Sequence, residues 1–177
     1  MRTEQINPRY VELDSWSAAE MIDAMYEEQL AAAAAVRGAL GAIAAAVDDA
    51  VPALQRGGRI VYAGAGTSGR IGVQDGSELP PTFDWPADRV VFAMAGGLDA
   101  LVRSSEQAED NEAAGAQAMT DAKIGANDVV IGVAASGTTP FTVGALRAST
   151  ASGAVTIAVA NNPDAPLFEV ARHRILA

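Results

Sequence analysis

The stretch YAGAGTSGRIG, Tyr62 to Gly72, sits where a short apolar run gives way to a helical pattern. Gly64, Gly66 and Gly69 carry the G-x-G-x-x-G spacing of dinucleotide-binding loops. Thr67 and Ser68 lie inside it and add two hydroxyls. The run before it, RIVYAG (59–64), is rich in Val and Ile and bounded by turn residues, and RVVFAMAGG (89–97), DVVIGVAASG (128–137) and AVTIAVANN (154–162) repeat that character. Continuous apolar runs, rather than alternating ones, mark strands buried on both faces. Helical stretches separate them at 67–78, about 98–122 and 139–151, and RHRILA (172–177) begins a fifth strand. This alternation predicts an α/β protein with a doubly wound parallel sheet. Ligands of such sheets sit beyond the carboxyl ends of the strands. The loops of interest are therefore 64–70, 94–98, 134–140 and 160–165.

Upstream, residues 1–16 are polar and aperiodic, an arm suited to lie on a surface or on a partner chain. Ser17 to Glu20, SAAE, fits a capping box and opens an alanine-rich helical region that runs to about residue 56. Leu40, Ile43 and Val47 form one apolar stripe, Pro52 marks a break or a first turn, and Gly57-Gly58 ends the region. The expected organisation is an arm with helices over 1–56 and a ligand-binding domain over 57–177, together one structural unit.

The 177 residues suffice for one domain with a core, and a hydrophobic content of 50% makes it globular. Twelve Lys+Arg stand against 22 Asp+Glu, a net charge of -10 that repels nucleic acid. A small anion is still admissible, because backbone N–H groups at a helix start bind phosphate without a basic patch. The absence of cysteine removes disulfides, thiolate metal sites and a Cys nucleophile, and the single histidine, His173, removes a multi-histidine metal site. The run Ala31 to Val36 is shorter than the roughly 20 residues a bilayer requires, and the N-terminus lacks an apolar signal core. A soluble cytoplasmic protein without metal or membrane is expected.

Two readings compete for GAGTSG. The dinucleotide reading needs an acidic residue at the end of the second strand, but that strand ends in AMAGG, and Asp84 and Asp88 precede it. It also needs a long helix after the loop, and Pro80-Pro81 is expected to cut that helix short. The monophosphate reading uses more of the sequence. Thr67 and Ser68 lie at a helix N-terminus, where the dipole favours an anion. A second loop, AASGTTP (134–140), repeats the chemistry with Ser136, Gly137, Thr138 and Thr139. Ser and Thr are also ordinary helix caps. Two such loops after parallel strands favour a phosphate and its adjacent sugar.

GAGTSGR, SELPPTF, AGG, EQAEDNE and VAASGTTP together resemble the N-acetylmuramic acid 6-phosphate etherases of the sugar isomerase (SIS) domain superfamily. The likeness runs from TEQINP (3–8) to NNPDAPL (161–167). It implies a five-stranded SIS-type sheet in flavodoxin-like order, and a homodimer. It implies cleavage of the lactyl ether of N-acetylmuramic acid 6-phosphate into N-acetylglucosamine 6-phosphate and D-lactate, in peptidoglycan recycling, with no cofactor and no metal. Leu79 stands where the family commonly has Cys, Gly76 where it has Ala, and Thr138 where it has Arg. Family members continue past the equivalent of residue 177 with a further helical region.

By this resemblance Glu78 and Glu109 are the acid/base pair, while Gly66, Thr67, Ser68, Gly69, Ser136, Gly137, Thr138 and Thr139 hold the phosphate or nearby hydroxyls. Taken by itself, Glu109 is one acid of a solvated helix face shared with Glu106, and Glu78 is a helix-terminal acid. Arg70 faces either a phosphate or lactate carboxylate or a surface partner. The alternatives are a non-enzymatic phosphosugar sensor, which does not need Glu78, and a phosphosugar isomerase, which predicts His173 beside the sugar.

Overall fold

The computed structural model describes residues 2–103 and 106–177. Five parallel strands, β1 (Ile60–Gly64), β2 (Val90–Met94), β3 (Val129–Val133), β4 (Val155–Ala160) and β5 (His173–Leu176), form one sheet in the order β2-β1-β3-β4-β5. The register pairs Gly64 with Met94 on one side and with Val133 on the other. The carboxyl ends of these three strands are therefore level, and the loops that leave them meet at one edge. The expected α/β class, all-parallel pairing and flavodoxin-like order are all present.

Strand side chains alternate between two cores. Val61, Ala63, Val130 and Ala158 pack beneath α4 (Glu112–Asp121), α5 (Pro140–Ala151) and α6 (Pro166–Glu169). Val129, Val155 and Ile157 face the other way, onto α2 (Leu40–Gln55). Tyr62 points to that second face as well, where its hydroxyl donates to Asp75 of α3 (Gly66–Phe83) at 2.6 Å. Burial, then the bond to Asp75, holds the Tyr62 phenol above its ordinary pKa.

The N-terminal segment forms short 3-10 turns, and Thr3 exchanges two hydrogen bonds with the Asn162 side chain. The capping box is present, with Ser17 and Glu20 bonding reciprocally at the start of α1 (Ala18–Ala35). Of the apolar stripe read on α2, Ile43 is half-buried and lines a gap against the sheet. Leu40 and Val47 are exposed, and the buried face is Ala46, Ala50 and Ala53. Alanine lets the helix backbone approach the sheet closely, so the small residues win the interior. Pro52 lies inside α2, in its last turns, and not at a break.

Three further expectations are corrected. The proline pair does not end α3, which runs to Phe83. Two missing N–H groups cost it only two bonds, and Asp84, at φ 53, closes the helix by returning its own N–H and that of Trp85 to the Leu79 carbonyl. The stretch 98–122 is not one helix. Leu98–Leu101 and Glu106–Ala108 are 3-10 turns, and α4 starts only at Glu112, where Asn111 caps it. Glu109 thus lies in a turn, and the Glu106 side chain lies outside the described residues. Finally, Ala18–Gln55 is a helical stretch of 38 residues, by length and composition alone long and apolar enough to cross a membrane. The short run 31–36 understated this because the flanking alanines extend it, yet α2 spends its alanine face on the sheet.

At the amino end of the sheet, Arg59 and Asp128 form a clamp. Asp128 is 6% exposed and accepts from the Arg59 Nε at 3.0 Å and Nη2 at 2.7 Å. Arg59 also donates to the carbonyls of Ala122 and Lys123, which ties β1 to the turn that precedes β3. Burial pushes the Asp128 carboxyl up, but the hydrogen bonds from Arg59 and from the Gly125 N–H outweigh it and leave the pKa lowered. A lowered folded pKa means the contribution is complete above the unfolded value, about 3.9, and is lost as acid takes the pH through the folded one. Asp128→Ala is expected to lose about 2–3 kcal/mol in urea unfolding at pH 7, with the deficit relative to wild type shrinking below about pH 4.

Candidate functional site

The first loop leaves β1 at Gly64, and α3 begins two residues later, so Thr67, Ser68 and Gly69 form its first turn. The second loop leaves β3 at Val133 and runs through Ser136–Thr139 into α5. Pro140 occupies the first position of α5, where its missing N–H costs nothing. Unlike α1 and α4, neither α3 nor α5 carries a side-chain cap. The cap interpretation of these hydroxyl residues is therefore weakened at both helices, and the first-turn N–H groups of α3 keep an open, positive end.

The second loop is built from its own bonds. Thr138 donates its N–H and its hydroxyl to the Ser136 Oγ at 3.2 and 2.9 Å. The Asn162 side chain, on the loop after β4, donates to the Ser136 carbonyl at 2.9 Å. Gly137 is buried at φ 69, and a Cβ there would overlap the Ala165 Cβ. Thr67 and Thr138 are exposed, while Ser68, Ser136 and Thr139 are half-buried, so hydroxyls of both loops line the carboxyl edge of the sheet.

Glu109 joins the two loops. Its carbonyl accepts the Phe141 N–H of α5 at 3.0 Å, and its Oε2 stands 4.0 Å from the position a Cβ would take on Gly66. This placement follows from the contact of α4 with α5. Gly115 faces the Phe141 carbonyl and Gly144 the Glu112 carbonyl so closely that a Cβ at either would overlap. Arg147 of α5 pairs with Glu112 across the same contact. The turn that carries Glu109 is thereby drawn over the start of α3.

Glu78 is not brought to this place. It lies on α3 twelve residues after Gly66, about 18 Å along the axis, and it is exposed. Arg70 reaches neither loop, because its guanidinium donates to the carbonyls of Ala100 at 3.0 Å and Leu101 at 3.1 Å. Sequence spacing gave no sign of that anchor. His173 is held at 2.7 Å by Asp49 of α2, on the helix-covered flank of the sheet and not among the loops. The end of β2 brings no carboxylate, as the dinucleotide reading would have required.

The family described as the glucokinase regulatory protein N-terminal SIS domain matches residues 42–150. Among curated relatives, the N-acetylmuramic acid 6-phosphate etherase of Deinococcus radiodurans is 52% identical over 167 residues, 94% of this chain and 55% of the relative. That of Vibrio vulnificus YJ016 is 44% identical over 174 residues, 98% of this chain and 58% of the relative. The chain spans a little over half the length of these relatives. A phosphoheptose isomerase from Francisella tularensis superposes with a TM-score of 0.69 at 19% identity, over 92% of this chain and 87% of that one, and shares the fold.

The second loop tolerates no side chain at Gly137. Gly137→Ala is expected to lose about 2–4 kcal/mol, strain and overlap together, in denaturant unfolding. Gly57→Ala, at φ 91 but in open space, should lose only about 1 kcal/mol, the backbone term alone.

Proposed function

The chain belongs to the family of the glucokinase regulatory protein N-terminal SIS domain, and from that premise we propose a carbon–oxygen lyase acting on N-acetylmuramic acid 6-phosphate. It yields N-acetylglucosamine 6-phosphate and D-lactate. Similarity to two etherases at 52% and 44% identity supports the substrate. The observation that carries the reading is the Glu109 carboxylate, poised over the uncapped start of α3 beside the hydroxyls of two loops.

In this reading Gly66, Thr67, Ser68 and Gly69, with Ser136, Gly137, Thr138 and Thr139, receive the phosphate and adjacent hydroxyls. A base takes the proton at C2 of the ring-opened sugar. The C2–C3 double bond forms as the C3–oxygen bond breaks, and an acid protonates the departing lactyl oxygen. Water then adds at C3 and a proton returns to C2. The reaction is redox-neutral, so no redox cofactor is called for, and two carboxylates suffice for its two proton transfers. Glu109 serves one proton transfer and Glu78 the other, each worth roughly 10²–10⁴ in rate.

Residues 1–56 are the arm and helices, and 57–177 the phosphosugar-binding part of the same unit. A homodimer fits the exposed large apolar residues of α1 and α2, among them Ile22, Met25, Leu30, Leu40 and Val47. The acidic balance is unsuited to nucleic acid. A phosphate monoester does not cross a bilayer unaided, which fits a cytoplasmic enzyme of peptidoglycan recycling without a membrane partner.

One observation favours a second reading, a phosphosugar-binding module without catalysis: Glu78 is exposed and distant from the loops of its own chain. Incubation with the sugar phosphate in deuterated water, followed by proton NMR, separates the two. The lyase releases D-lactate and leaves deuterium at C2, and Glu109→Gln slows lactate release by roughly 10²–10⁴. Binding without lactate or exchange would establish the module instead.

A further inference from the structure

Backbone N–H groups attract an anion and carbonyls repel it, so a loop that holds a phosphate must turn its carbonyls away. The second loop does this over three successive peptides. The Ala135 carbonyl accepts the Asn161 N–H at 2.9 Å, the Ser136 carbonyl accepts from the Asn162 Nδ2 at 2.9 Å, and the Gly137 carbonyl accepts the Leu167 N–H at 3.0 Å. All three donors follow β4, in the loop after it or in α6. In the sheet, β3 has β4 on one side and β1 on the other. The carbonyls therefore point to the β4 flank, away from the start of α3. In a trans peptide the N–H lies opposite the C=O, so the Ser136 N–H is aimed at the flank where Thr67 and Ser68 stand.

Two of these carbonyls are held by backbone N–H groups, which survive any substitution except proline. The middle one, that of Ser136, is held by a side chain. Asn162 is only 5% exposed, and its amide is oriented from its far side by the N-terminal arm. The Thr3 N–H donates to Oδ1 at 3.3 Å, and Nδ2 donates to the Thr3 Oγ1 at 3.0 Å. Turning the amide over would set Oδ1 against the Ser136 carbonyl and Nδ2 against the Thr3 N–H, two repelling contacts. Thr3 thus fixes which end of the amide meets the loop.

We propose that Asn162, oriented by Thr3, is a positioning residue that holds the Ser136 carbonyl away from the bound phosphate. Asn162 acts through the loop and not on the ligand. The effect on the ligand rests on the reading above, in which the second loop receives the phosphate. The placement of the carbonyl does not.

The test uses two variants of the full chain. Asn162→Leu keeps the branching of the side chain and removes the donor, and Asn162→Asp keeps the shape and replaces the donor by an acceptor. In calorimetric titration with N-acetylglucosamine 6-phosphate, each is expected to raise Kd roughly 10–100-fold. Asn161→Ala, which removes a bond to the Ala177 carbonyl, should leave Kd within about twofold. Thr3→Val should raise it less than the Asn162 variants do, and no rise overturns the part given to the arm. In lactate release, KM rises in the Asn162 variants while kcat holds, because neither glutamate is displaced. An unchanged Kd in both Asn162 variants overturns the proposal, and so does a fall in kcat at unchanged KM. If wild type binds no sugar phosphate, the phosphosugar reading fails, and carbon NMR of the unliganded chain decides the placement. The Ser136 carbonyl resonance should move upfield in Asn162→Leu while that of Gly137, held by the Leu167 N–H, stays. Equal movement of both, or of neither, overturns the placement.

Discussion

The site depends on how closely α4 approaches α5. Gly115 and Gly144 let the two backbones touch, each opposite a carbonyl of the other segment. That contact seats the turn before α4 on the start of α5, through the Phe141 N–H bond to the Glu109 carbonyl. The same turn then holds the Glu109 side chain over Gly66 of α3. One backbone contact therefore fixes three chain segments, and a methyl group at either glycine would part them. Sheet pairing alone would leave the loops level but Glu109 unplaced.

The sheet was legible because its signal is dense. Four continuous Val/Ile runs bounded by turn residues admit few other interpretations, and the crossover helices follow from parallel pairing. The helix faces were harder. On α2 the large residues Leu40, Ile43 and Val47 stand out as a stripe, yet only Ile43 of them is half-buried, and alanines take the interior because the helix must sit close to the sheet. A hydrophobicity count ranks side chains by size, whereas close packing selects for smallness. The end of α3 was misplaced for a related reason. Proline was read as a stop, but a late proline pair forfeits two bonds only, and a left-handed Asp84 supplies the closure.

The site was legible in its loops and opaque in its carboxylates. Hydroxyl residues after parallel strands are a local signal with a local cause, the unsatisfied N–H groups of the helix start. Glu109 carries no such signal. Spacing placed it on a solvated helix face, and only the family resemblance picked it out. The structure sets it in a turn whose position is decided by Gly115 and Gly144, residues it does not touch in sequence. Arg70 and His173 were plausible by type and neighbourhood, but each is spent on tying elements together, Arg70 to the carbonyls after β2 and His173 to Asp49 of α2.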